Sequence, residues 1–140
     1  MFDRISAREI AVSGLRAQRT RMNVIANNIA NAQTLRTRET GEPFRRQLAI
    51  FRGEQIGPVV DPSMVGVKVS RIAEDPSPFS LTYNPSHPLA NEDGYVAYPN
   101  VNIAVEMVDL VSAQRAYEAN LAVIASSRSM SNKALELLQR

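Results

Sequence analysis

With 140 residues, 44% of them hydrophobic, and a net charge of +2, the chain is sized for one modest domain or a small domain with helical arms, and its composition argues against wholesale disorder. The absence of cysteine excludes disulfides and thiolate metal sites. Residues 1–9 lack the apolar core of a cleavable secretory signal and no window approaches the ~20 apolar residues of a membrane span, so a soluble, unprocessed chain is expected.

All eight prolines and five of the six glycines lie between Gly41 and Pro99. Proline inside a helix costs about 3 kcal/mol, so the flanks on either side are where long helices persist. The first helix opens on Ser6-Ala7-Arg8-Glu9, a capping box in which Ser6 and Glu9 satisfy each other's backbone groups. Apolar residues then fall at Val12, Leu15, Met22, Ile25 and Ile29, with Gln18 in the missing place. Ala26 and Ala30 lie beside this stripe and offer close approach to a neighbour. Asn23, Asn27 and Asn31 stack along one flank, the pattern of a fraying helix end or of amides that fix register against partner helices.

The middle zone reads as short strands and turns. Val65, Val67 and Val69 alternate with Gly66, Lys68 and Ser70 as in a half-buried strand, and residues 44–51 and 79–83 form two further candidates. Asp75-Pro76-Ser77-Pro78, Asn84-Pro85 and Asn91-Glu92-Asp93-Gly94 are turn signals.

The last helix is capped by Asn100 or Asn102 directly after Pro99. Ile103, Met107, Leu110, Gln114, Tyr117, Leu121, Ile124, Arg128, Ser131, Leu135 and Leu138 alternate in steps of four and three, a coiled-coil seam with three polar interruptions. Val105, Val108 and Val111 widen the apolar face beyond a two-helix seam. At ~1.5 Å per residue this helix is about 55 Å long, longer than the first, and a simple hairpin of the two leaves apolar surface for other subunits. The fold expected is mainly α with a small β part: an N-terminal helix within residues 1–35, a β/loop insert over 36–100 and a C-terminal helix within 101–140.

Signals for chemistry are weak. His87 is the only histidine and sits in the rigid Asn84-Pro85-Ser86-His87-Pro88 turn, and the carboxylate pairs Glu74–Asp75 and Glu92–Asp93 suit solvated turns. Residues 91–94 lack the ligand spacing of a calcium loop, and there is no phosphate loop or nucleophile elbow. No catalytic residue, cofactor or metal is expected.

Charge is unevenly placed. Residues 1–52 carry ten arginines against four acids, leaving +6, and residues 53–140 carry six basic residues against ten acids, leaving −4. Two such halves attract one another between copies. A nucleic-acid adaptor is the alternative use of Arg16, Arg19, Arg21, Arg36, Arg38, Arg45 and Arg46. No aromatic residue is interleaved between Phe2 and Phe44 for base stacking, and Arg19 falls within the apolar arc, which calls for an acidic partner on another helix.

The chain resembles the axial proteins of the bacterial flagellum. Ser13-Gly14-Leu15-Arg16-Ala17-Gln18 followed by Ala26-Asn27-Asn28-Ile29-Ala30-Asn31 is shared broadly by rod and hook proteins. Thr34-Leu35-Arg36-Thr37-Arg38, His87-Pro88, residues 90–96, Pro99-Asn100-Val101-Asn102, residues 106–110 and Arg115-Ala116-Tyr117-Glu118-Ala119-Asn120 are similar to the proximal-rod branch. The resemblance implies a non-enzymatic subunit that leaves the cell through the flagellar type III export apparatus without a cleaved signal. It implies polymerisation in the periplasm-spanning rod as part of a helical, torque-carrying tube, with terminal helices inside, folding as neighbours bury them, and the β part outside. Implied partners are copies of the chain itself and the rod proteins FlgB, FlgF, FlgG and FliE, with no nucleic acid and no direct membrane span.

On this view Leu15, Met22, Ile25 and Ile29 pack against Leu110, Tyr117, Leu121 and Ile124 of the same chain, and Gln18 meets Gln114. Asn23, Asn27 and Asn31 face neighbouring subunits, and Arg19 finds a carboxylate among Glu106, Asp109 and Glu118. Asn28, Met107, Leu135 and Leu138 complete the expected assembly surface.

Overall fold

The computed structural model describes residues 7–38, 41–56 and 65–138, with the side chain of Leu138 excepted. The capping box at Ser6 and the seam position of the Leu138 side chain therefore lie outside the described residues.

Helix α1 runs Ala7–Ala30. It stops where Asn31 turns its amide back, Nδ2 donating to the backbone oxygen and Oδ1 of Asn27, while Ala32 N–H reaches Ile29 O in a tightened turn. Four strands follow: β1 at Gln47–Gln55, β2 at Val65–Glu74, β3 at Ser80–Tyr83 and β4 at Tyr95–Tyr98. Helix α2 runs Ile103–Leu138, and Asn102 Oδ1 accepts from the backbone of Ala104 and Val105 as its cap. The architecture is thus mainly α, with small antiparallel sheets between a shorter and a longer helix.

Strands β1 and β2 pair from Gln47↔Glu74 to Gln55↔Val65, with Ser70 as the extra residue of a bulge between Ile50↔Arg71 and Phe51↔Val69. The hairpin is pinned to α1 at two points. Near its far end Val67 N–H donates to Ser13 Oγ at 3.0 Å, and Ser13 itself donates to Ile10 O. Gly66 permits this approach, because a Cβ there would run into Ile56 and the Ser13 hydroxyl. At its near end the backbone of Gln47 is held by Asn28.

Strands β3 and β4 form a second ladder, and the turn before β4 is closed by Gly94 at φ +82° and by Asn91 Oδ1, which accepts from Asp93 and Tyr95 N–H. Of the strand expected at 79–83, residues 80–83 form β3, whereas β4 carries no strand expectation: a four-residue strand of Tyr-Val-Ala-Tyr directly after a turn is too short for a periodicity to register. The strand expected at 44–51 begins three residues later, because Phe44 is buried as an anchor ahead of the ladder.

The helices pack antiparallel, Asn28 of α1 meeting Glu106 of α2 and Gly14 meeting Asn120. On α1 the buried residues are Ala11, Gly14, Ala17, Val24, Ile25 and Asn28, and on α2 Glu106 and Ala113, flanked by half-buried Leu110, Tyr117, Asn120 and Ile124. The expected seam on α2 is therefore corrected at alternate positions by one residue, roughly 100° round the helix, and on α1 the buried line likewise runs one residue earlier except at Ile25. Glu106 replaces Met107, Ala113 replaces Gln114 and Asn120 replaces Leu121 at the centre of the contact; Met107 is 55% and Leu121 45% exposed, so both lie off its centre. Small residues set this choice: Ala11, Gly14 and Ala17 let α2 approach closely, which bulky Leu15 and Met22 at the centre of the contact would prevent. Ala26 and Ala30, expected to offer close approach, are exposed.

Candidate assembly interface

Where α1 ends and α2 begins, a polar clamp ties the helices to the hairpin. Asn28, 1% exposed, pairs with Gln47 as a strand would, Nδ2 donating to Gln47 O at 2.8 Å and Oδ1 accepting from Gln47 N at 2.8 Å. The same Nδ2 donates to Glu106 Oε2 at 2.9 Å. Glu106, also 1% exposed, accepts from Arg46 Nε through its other oxygen at 2.6 Å. The Arg46 fork continues to Asp75 at 3.5 Å and Asp109 at 3.3 Å, and Arg21 reaches Asp109 at 3.5 Å. Asn100 closes the far side, Oδ1 accepting from Arg46 N–H and Nδ2 donating to Asp75 O and Ser77. Both partners of the innermost ion pair are thus hydrogen-bonded on several sides, the condition under which a buried charge pair holds a structure together.

Titration follows this geometry. Burial pulls the Arg46 guanidinium down, but the hydrogen bonds and charges of Glu106 and Asp75 outweigh it and leave the group above its usual range. Hydrogen bonds from the Ser77 hydroxyl and backbone, with a smaller contribution from Arg46, hold the Asp75 carboxyl below the ordinary value.

The remaining expected site residues divide into two groups. Ile25 is buried, and Leu15, Met22, Ile29, Leu110, Tyr117 and Ile124 are half-buried along the helix pair. Arg19, Asn23, Asn27, Gln114 and Leu135 are exposed together with Met107 and Leu121. Arg19 has no ion pair among the described residues; it is Arg21, two residues on, that finds Asp109. Gln18 does not bond Gln114, and its Oε1 is buried without a partner. Asn27 and Asn31 bond within their own chain, Asn27 Nδ2 to Gln47 Oε1 and Asn31 to Asn27 and Thr34.

The clamp leaves only a faint trace in the sequence. Its visible signals are an acid at 106 in an otherwise apolar run, and Ala11, Gly14 and Ala17 at three-residue spacing. His87 Nδ1 accepts from Leu89 N–H and closes its turn, and no group of three His, Cys, Asp or Glu side chains among the described residues is placed to hold a metal ion.

Outside the clamp α2 exposes apolar residues on both flanks of its contact with α1, while Arg115, Glu118, Lys133 and Glu136 stand exposed on its outer side. Ile103, Met107, Val111 and Leu121 are exposed along one flank, and Val105, Val108, Val123 and Met130 along the other, Val108 reaching 70%. Apolar flanks of this extent on one helix are surface that neighbours bury. No helix among the described residues is long and apolar enough to cross a membrane.

Comparison with known proteins gives the same picture. A family profile described as flagella basal body rod protein matches residues 9–36, and one described as flagellar basal body rod FlgEFG protein C-terminal matches residues 92–137. The chain is 47% identical to the flagellar basal-body rod protein FlgC of Borreliella burgdorferi, with 96% of this chain and 97% of the relative covered. It is 43% identical to FlgC of Bacillus subtilis (91% and 93% covered) and 41% identical to FlgC of Salmonella typhimurium (94% and 95% covered).

Proposed function

Because the chain belongs to the FlgC family of flagellar basal-body rod proteins, we propose that it is built into the proximal rod, within a helical tube that crosses the periplasm, carries torque and passes later components outward. It is a structural rod subunit and not an enzyme. The observation that carries the assembly reading is the apolar surface on both flanks of α2, which its own α1 leaves open.

Residues 1–35 and 101–140 form the inner, coiled-coil-like layer of the tube and residues 36–100 its outer β layer. Leu15, Gln18, Arg19, Met22, Asn23 and Ile29 on α1, and Met107, Gln114, Leu121 and Leu135 on α2, border the lateral contacts. Asn28 acts differently, through the clamp that sets the angle between helices and hairpin. Partners are other copies, the rod proteins FlgB, FlgF, FlgG and FliE, and, in transit, the type III export apparatus, which takes the chain without a cleaved signal. Of the arginines a nucleic-acid role would use, Arg21 and Arg46 are engaged by Asp109 and Glu106 and Arg45 lies over the Phe79 ring, and membership of the rod family favours the structural role.

The test is replacement of the native gene in a flagellated host by a version with Val108 and Leu121 changed to Glu. Loss of motility with no rod in isolated basal bodies is expected; motile cells with intact rods would overturn the reading.

A further inference from the structure

We infer that the acidic turn carrying Glu92 and Asp93 of one copy seats in an arginine-edged groove at residues 34–38 of a second copy; this rests on the rod reading, which places copies side by side. The groove, about 530 Å³, lies between the segment after α1 and the end of β2, and its cationic edge is Arg36 and Arg38. Its shape is fixed within the subunit: Phe44 N–H donates to Thr34 O, Thr37 N–H to Glu42 O and Gly41 N–H to Thr37 O, while the buried Phe44 ring anchors the floor. Three arginines face two carboxylates, Glu42 and Glu74, across it. Arg45 is already engaged, stacked 4.2 Å over Phe79 and bonded to Ser77 O. Arg36 and Arg38 are exposed and form no ion pair among the described residues, so they are the groups left to meet an incoming anion.

The complementary feature is on the same chain. Glu92 and Asp93 are exposed, likewise without an ion pair among the described residues, on a turn that Asn91 Oδ1 and the left-handed Gly94 brace from within. Two adjacent carboxylates on a pre-formed turn match two arginines on a pre-formed edge, with little ordering required on contact. Glu118 and Glu136, the exposed acids of α2, stand singly on a helix whose flanks are apolar and lack this match. Such a contact fixes which neighbour sits beside which, a role charge complementarity serves better than it serves affinity.

The chain has no cysteine, so engineered thiols report without background. One copy carrying Arg38→Cys and another carrying Glu92→Cys, co-expressed in a flagellated host, are expected to give an oxidised dimer of the two in isolated basal bodies. Neither variant alone gives it. Charge reversal supplies the second arm: Arg36→Glu with Arg38→Glu, or Glu92→Arg with Asp93→Arg, is expected to lower motility on the order of tenfold, and the combination to restore most of it. Circular dichroism of the four exposed-site variants, matching the parent, excludes misfolding. Basal bodies that contain the chain but no dimer, or a combination no better than either reversal, would overturn the contact and leave the rod reading standing. A thiol at 38 that links only to a different rod protein would overturn it as well. A chain absent from the basal bodies of motile cells would bring down the rod reading itself.

Discussion

In the first turns of α2, Glu106 and Asp109 close onto Arg46, Arg21 and Asn28 of their own chain, whereas past Ser127 the same helix carries Met130, Leu135 and Leu137 into solvent. The first region has its polar groups answered within the chain. The second has no partner in α1 and carries apolar surface that only another molecule removes from water. Stability of the subunit is thus concentrated where the sequence is polar, and capacity to assemble where it is apolar.

The most damaging change to the first region is Glu106→Ala. It leaves the Arg46 guanidinium and an Asn28 donor without their buried acceptor, a loss of about 3–5 kcal/mol by analogy with broken buried ion pairs, read as a lower midpoint in chemical denaturation. Asn28→Ala follows, at about 1–3 kcal/mol for each buried group left unpaired, since the Gln47 backbone loses both of its contacts. Gly14→Val is expected to cost about 1–3 kcal/mol, because a Cβ at 14 lies 2.7 Å from Asn120 Oδ1; adding Asn120→Ala should recover much of it. A near-neutral Gly14→Val would mean that α1 and α2 do not meet there.

Acid acts on the clamp with a defined sign. Asp75 titrates below its ordinary value of 3.8, so its contribution is complete above that pH and is lost as pH falls through the depressed value. Asp75→Asn should flatten the pH dependence of stability in that acid window and leave neutral behaviour little changed. The smallest effect on the isolated chain belongs to the second region: Leu135→Ser with Leu137→Ser should shift its stability by no more than about 0.5 kcal/mol per site while reducing rod assembly. A large loss of monomer stability there would erase the contrast between the two regions.

Much of this was legible in the residues. The proline-free flanks gave the two helices, Asn102 gave the cap of α2, and the Val65–Val69 alternation lies on β2. The facing of the helices was not legible, because periodicity weights large apolar residues and the contact is made by alanine, glycine and asparagine. Glu106 reads as a surface residue until Arg46, sixty positions away in sequence, is brought beside it. Arg19 fell in the apolar arc of a stripe drawn one residue out of phase, and the true phase hands its expected role to Arg21.

Thiol labelling along α2 tests the division of its faces most directly, with single cysteines at Ala113, Met107, Val108 and Leu121 compared in the free chain and in isolated rods. The thiol at 113 should be protected in both states, since Ala113 is fully buried against α1, and those at 107, 108 and 121 should react freely in the chain and be protected in the rod. Thiols at 107, 108 and 121 that remain reactive in the rod, or are already protected in the free chain, would contradict the assignment of these flanks to neighbouring subunits.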